Sequence, residues 1–233
     1  MSEHESLPTI KPVVLKILDK LIKGHKGRLQ IADIGSGSEP KILLGINGIG
    51  NFRYYAVDKD KKRLEKLIRS APDLPTLRTV LANAESLPFE HNQFDIVIFL
   101  ETIEHLKNPE KALFEIVRIS KAKGTIIIST PNMNRPDIFL KRLLFFIFRV
   151  KKNFPEDYYY SPDHSKEFQK KEFKMLLRQS GLIIKKWVPI SYPLELKGFK
   201  SLATIVVYPF LNLLIKINPS FSPILFVVCK IKK

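Results

Sequence analysis

Short apolar runs, each followed by an amphipathic helical stretch, repeat four times between Arg28 and Val150, and this rhythm restricts the fold more than any other feature. Parallel strands cannot be joined by a tight turn, so a strand–helix–strand rhythm predicts a parallel sheet. The expected strands are Arg28–Ile34, Phe52–Val57, Thr76–Leu81, Phe94–Leu100 and Gly124–Thr130. Phe94–Leu100 (FDIVIFL) is apolar almost throughout, as a central strand covered on both faces must be. Pro40–Ile46, Lys59–Arg69 and Pro109–Lys121 read as helices. The last opens on proline, which suits a first helical turn, and lines up Leu113, Ile116 and Val117. Ahead of the first strand, Lys11–Lys23 places Val14, Leu15, Leu18, Leu21 and Ile22 at helical spacing.

Beyond Met133 the pattern changes. Ile138–Val150 is very apolar, yet Lys141, Arg142 and Arg149 fall within about 100° on a helical wheel. Such a helix suits a membrane interface or a lid over a pocket. Asn153–Ser165 is a tyrosine-rich loop, Glu167–Ser180 a helix, Leu182–Pro189 a sixth strand and Ser222–Ile231 a closing strand. The expectation is an α/β fold with a doubly wound, mostly parallel seven-stranded sheet, helices on both faces and ligands at the carboxyl ends of the strands. It is read as one domain over 1–233: a core at 27–132, a helical insertion or lid at 133–166, and the rest of the sheet with an apolar lid at 167–233.

The single cysteine, Cys229, excludes an internal disulfide and a cysteine-rich metal site. Net charge is +16 and uneven: residues 1–137 hold 21 Lys/Arg against 17 Asp/Glu, residues 138–233 hold 18 against 6. The basic second part suits an anionic partner, membrane surface or nucleic acid, or is a solvated face with no specific partner. Met1–Glu5 lacks the basic and apolar regions of a signal peptide. Leu202–Ile215 is interrupted by Pro209 and Asn212 and falls short of the roughly 20 apolar residues that cross a bilayer. It reads as a lid or a helix on the lipid side. A cytoplasmic location is expected, peripheral at a membrane.

The chemistry clusters where strands end. Gln30–Ser38 runs an apolar strand through Asp33 into Gly35-Ser36-Gly37, a turn whose glycines let backbone approach a ligand closely. Asp58 closes the second strand, 25 residues after Asp33, and offers two acceptor oxygens. An acid there also serves dinucleotide-binding enzymes, but the turn lacks their full G-x-G-x-x-G pattern. Asn83-Ala84-Glu85 follows the third strand and Glu101-Thr102-Ile103-Glu104-His105-Leu106 the fourth.

In order and spacing these motifs resemble the class I S-adenosylmethionine-dependent methyltransferases, from roughly Gly27 to Lys232 and most strongly from Ile31 to Asn132. The resemblance implies that Asp33, Gly35 and Gly37 hold the methionine part of S-adenosylmethionine. It implies Asp58 on the ribose hydroxyls, Asn83 and Ala84 at the adenine, and Glu101 bordering the cofactor. Glu39 stands at the family's usual third glycine, and Asn83 replaces its usual aspartate.

Glu101–His105 is similar to the E-x-x-E-H of quinone-biosynthesis O-methyltransferases and small-RNA 2′-O-methyltransferases. It implies catalytic roles for Glu104, His105 and His164. In some of those enzymes such residues bind a divalent cation; here Glu101, Glu104, His105 and His164 would be the ligands, for Mg²⁺ or Mn²⁺. Other relatives carry the segment without metal, His105 then orienting the loop or acting as general base. The expected reaction is O-methylation of a hydroxylated small molecule, lipid-like or lipid-linked. RNA methylation, with Tyr158–Tyr160 stacking bases, and a non-catalytic binding module are the alternatives.

Overall fold

The computed structural model describes residues 7–39, 42–46, 52–71, 76–136, 166–192 and 208–232. Seven strands form one sheet: β1 (Leu29–Ile34), β2 (Phe52–Asp58), β3 (Leu77–Leu81), β4 (Phe94–Leu100), β5 (Ser120–Pro131), β6 (Leu182–Trp187) and β7 (Ile224–Ile231). Their order is β3-β2-β1-β4-β5-β7-β6. The first five run parallel, and β7 is antiparallel to both β5 and β6. The chain order reverses beside β1, between β2 and β4, the place where such sheets open a crevice for ligands.

Alternation along the strands assigns the two faces. On β4, Val97 and Phe99 join Ala112, Leu113 and Ile116 of α3 (Pro109–Ile119), with Phe173 and Leu177 of α4 (Lys170–Gln179). Ile96, Ile98 and Leu100 face the other way, onto Ile10, Val14 and Leu18 of α1 (Leu7–Lys23) and Leu67 of α2 (Lys61–Ser70). Phe94 breaks the alternation and lies with Val97, because the β4–β5 register shifts between Phe94 and Ile96. Thus the predicted burial of Phe94–Leu100 on both faces holds. A fifth helix, α5 (Tyr208–Ile217), packs through Leu211 and Ile215 on Tyr192, apart from the two main cores.

Several boundaries differ from the sequence reading. α1 begins four residues earlier, at Leu7, and includes Pro12. In place of a helix over Pro40–Ile46 the described residues hold one 3₁₀ turn, Leu43–Gly45. α3 stops at Ile119 and β5 starts at once, since Ser120 already pairs with Phe94. α4 begins at Lys170, not Glu167, because Phe168 is bridged to Asn132 and the Gln169 N–H donates to the Glu172 carboxylate. The Ile138–Val150 helix and the Asn153–Ser165 loop lie outside the described residues, and Leu202–Ile215 is described only from Tyr208. Among the described residues no helix is long and apolar enough to cross a membrane.

Candidate active site

The glycine turn is fixed by the strand beside it. Gly35 and Ser36 both donate their N–H to the Val57 carbonyl, at 2.8 and 3.0 Å. The next N–H, of Gly37, reaches Asp58 Oδ2 at 3.0 Å. Gly35 (φ 76°) and Gly37 (φ 71°) occupy the left-handed region that L side chains disfavour. At Gly35 space adds a second reason: a Cβ would lie 2.3 Å from Thr102 Oγ1. Thr102 donates to the Leu100 carbonyl at 2.8 Å, so the turn after β4 presses on the turn after β1. Sequence reasoning passed over Thr102, whose importance exists only once β1 and β4 are neighbours.

Asp33 and Asp58 are both buried, and differently held. Asp58 Oδ1 accepts from the Asp60 N–H at 2.9 Å while Oδ2 accepts from Gly37, and each oxygen keeps room for a second donor. Asp33 sits in the low-dielectric interior and accepts the Tyr54 hydroxyl at 2.5 Å. Burial pushes the Asp33 carboxyl up from 3.8 to about 6, opposed by the Tyr54 hydrogen bond and reinforced by the charge of Asp58. Burial, with Asp33 beside it, holds the Tyr54 phenol well above its usual range. In the sequence Tyr54 stands out only as one residue of the strand Phe52–Val57. Ser36 Oγ is buried with no hydrogen-bond partner among the described residues, a donor left for a ligand in the middle of the turn.

Two described elements flank this pair. After β3, Asn83 Oδ1 caps the Glu85 N–H at 3.0 Å in a tight turn, leaving Asn83 exposed and Ala84 buried. Glu85 turns away to accept from the Asn108 backbone and side chain at 3.1 and 3.4 Å, at the start of α3. After β4, Glu101 has φ 46°, a strained conformation for a residue with a Cβ. Ser129 holds it there: Ser129 Oγ donates to Glu101 Oε1 at 2.6 Å, and the Glu101 N–H donates to the Ser129 carbonyl at 3.1 Å.

Glu104 is 1% exposed; Thr130 Oγ1 donates to its Oε2 at 3.0 Å, while Oε1 has no partner among the described residues. Burial, with the charge of Glu101 nearby, raises the Glu104 carboxyl well above the usual carboxylate range. His105 is half-buried one residue further on.

Of the four donors expected to hold a cation, Glu101, Glu104 and His105 are among the described residues. Ser129 donates to Glu101 Oε1 and Thr130 to Glu104 Oε2, and no three His, Cys, Asp or Glu side chains are grouped for a metal among the described residues. His164 lies outside those residues; the chain after it is held at Glu104, whose carbonyl accepts the Lys166 N–H at 3.1 Å. The cofactor expectation fits better. Asp33, Gly35, Gly37, Asp58, Asn83 and Ala84 all lie at the carboxyl ends of β1, β2 and β3, with Glu101 at the end of β4.

Residues 32–128, from β1 through β5, match the family model for a methyltransferase domain. These residues form a methyltransferase domain, similar to the class I S-adenosylmethionine-dependent methyltransferases. A Rickettsia bellii protein named ubiquinone biosynthesis O-methyltransferase is 28% identical to it over 141 residues, covering 57% of this chain and 56% of that protein. A Methanocaldococcus jannaschii protein is 33% identical over 119 residues, covering 51% and 48%. The chain thus spans about half the length of these curated relatives. Among solved structures, an S-adenosylmethionine-dependent methyltransferase from Aquifex aeolicus superposes with a TM-score of 0.55 at 16% identity, over 82% of this chain and 94% of that one. The methyltransferase domain therefore shares its fold with that enzyme.

Proposed function

We propose that the chain transfers a methyl group from S-adenosylmethionine to a hydroxyl oxygen of a small, lipid-like acceptor. The observation that carries the reading is the fastening of the glycine turn to Asp58 through the Gly37 N–H, with Glu101–His105 at the neighbouring strand end. Similarity to proteins named ubiquinone biosynthesis O-methyltransferase supports oxygen as the acceptor atom and a lipid-like substrate.

In this reading Asp58 accepts from the ribose hydroxyls, Asp33 and the Gly35–Gly37 backbone hold the methionine part, and Ser36 Oγ finds the partner it otherwise lacks. The bound cofactor supplies a methyl on a positively charged sulfonium, already a good leaving group. The chain's own residues therefore mainly align the acceptor and exclude water. Glu104, buried and with its carboxyl raised above the usual range, shapes the wall near His105. His105 takes the proton from the acceptor hydroxyl.

Calorimetry with S-adenosylmethionine and transfer of a labelled methyl to a hydroxylated prenyl quinone precursor test this. Asp58→Ala removes acceptors for two hydroxyl donors and is expected to weaken cofactor binding about 100-fold. His105→Ala is expected to keep cofactor affinity and slow transfer by roughly 10² or more. No cofactor binding by the native chain would leave a non-catalytic module. Binding without transfer to hydroxyl acceptors would reject the O-methylation assignment.

A further inference from the structure

α5 turns an apolar side outward. Phe210 and Leu213 are 56% and 54% exposed and Ile217 is 76% exposed. At i, i+3 and i+7 they share a strip about 60° wide on the helix. The opposite side is fixed: Leu211 and Ile215 are buried against Tyr192. The Asn212 amide clasps the Tyr192 backbone twice, accepting its N–H at 2.7 Å and donating to its carbonyl at 3.1 Å. A helix held this firmly cannot roll to hide its outer strip. Lys216 flanks the strip, and Lys170 reaches the following turn through Ser220 Oγ at 3.0 Å. Residues 208–232 contain no Asp or Glu at all.

We propose that this strip is a membrane contact, Phe210, Leu213 and Ile217 entering the interface of an anionic bilayer while Lys216 and its neighbours meet the headgroups. Charge selects the occupant. The described residues from Lys166 onward carry ten Lys/Arg against two Asp/Glu, a balance that a second copy of this chain would repel and an anionic surface attracts. Size points the same way. A ten-residue helix is about 15 Å long, so its one strip falls far below the roughly 800 Å² per partner of a stable protein interface. Three partly exposed side chains give only shallow, reversible insertion, so binding must also draw on charge. The contact is independent of which acceptor is methylated.

Flotation of the full chain with phosphatidylcholine vesicles, with and without about one-third phosphatidylglycerol, tests the surface. Binding is expected to the anionic vesicles alone, and to fall several-fold between low and physiological salt. The triple variant Phe210→Ser, Leu213→Ser, Ile217→Ser is expected to lose at least tenfold in partitioning, and Lys216→Glu several-fold. Unchanged circular dichroism and cofactor affinity verify the fold of each variant. Equal binding to neutral vesicles, undiminished binding by the triple variant, or a dimer that the triple variant dissolves would each overturn the proposal.

Discussion

Tyr54 and Asp33 lie on adjacent strands, and the hydrogen bond between them partly offsets the rise that burial imposes on the acidic residue beside the glycine turn. The folded chain holds the Asp33 proton more tightly than an unfolded chain does, up to about 6 from 3.8. Its contribution therefore favours folding below about pH 4 and is lost as pH rises through about 6, on the order of 3 kcal/mol by neutrality. A cationic cofactor group beside Asp33 works in the opposite sense and favours the carboxylate. Cofactor affinity is accordingly expected to rise between pH 5 and 7, about tenfold, with proton release measurable by calorimetry in buffers of different ionisation enthalpy. Tyr54→Phe removes the hydrogen bond that stabilises the charged form and should move that midpoint to higher pH. An unmoved midpoint would show that Asp33 is not the group responsible.

At the scale of elements, α3 does more than cover the sheet. Arg118 forms a fork with Glu115, Nε to Oε1 at 2.7 Å and Nη2 to Oε2 at 2.8 Å. The same guanidinium donates to the Phe89 and Leu87 carbonyls at 2.6 and 3.0 Å, and Glu115 Oε2 accepts the Leu87 N–H at 2.7 Å. Bonding to Arg118 holds the Glu115 carboxyl below its usual range. The helix thus anchors the loop that continues from Asn83–Ser86, and Glu85 fastens the other end of that loop to Asn108. Arg118→Met keeps the bulk and removes the donors, leaving Glu115 without its cation. It is expected to cost about 2 kcal/mol, a fall of roughly 4–8 °C in Tm by calorimetry, and to weaken cofactor binding only modestly. A drop in binding as large as that of Asp58→Ala would mean that the loop itself, rather than its anchor, carries adenine recognition.

At the scale of the whole molecule, β7 is the keystone, since among the described residues it alone joins β6 to the parallel strands. It comes last in the chain yet pairs along Ile126–Pro131 of β5, with Leu225, Phe226, Val227 and Cys229 buried. Removing residues 224–233 should abolish cooperative thermal unfolding, because β6 and α4 would lose the strand they are stitched to and β5 would gain an open apolar edge. A truncated chain that still melts in one sharp transition would show that the five parallel strands fold without it.

Local pattern determined the strands, both faces of the sheet and the Gly35–Gly37 turn with Asp58. Alternation, apolar run length and glycine placement act over a few residues and are written in the chain. Helix and strand ends were less legible: α4 begins late because Phe168 pairs with Asn132, a partner 36 residues away in sequence. Only the tertiary structure decided what the site residues can do. Burial raises the Asp33 carboxyl while the Tyr54 hydrogen bond opposes the rise, burial beside Glu101 raises Glu104, and Gly35 is required by Thr102. Asp33 with Tyr54 and Gly35 with Thr102 are pairs brought together from different strands or turns, and Glu104 is buried by the chain folded around its turn. No single stretch of sequence contains the low dielectric or the contact distance on which they depend.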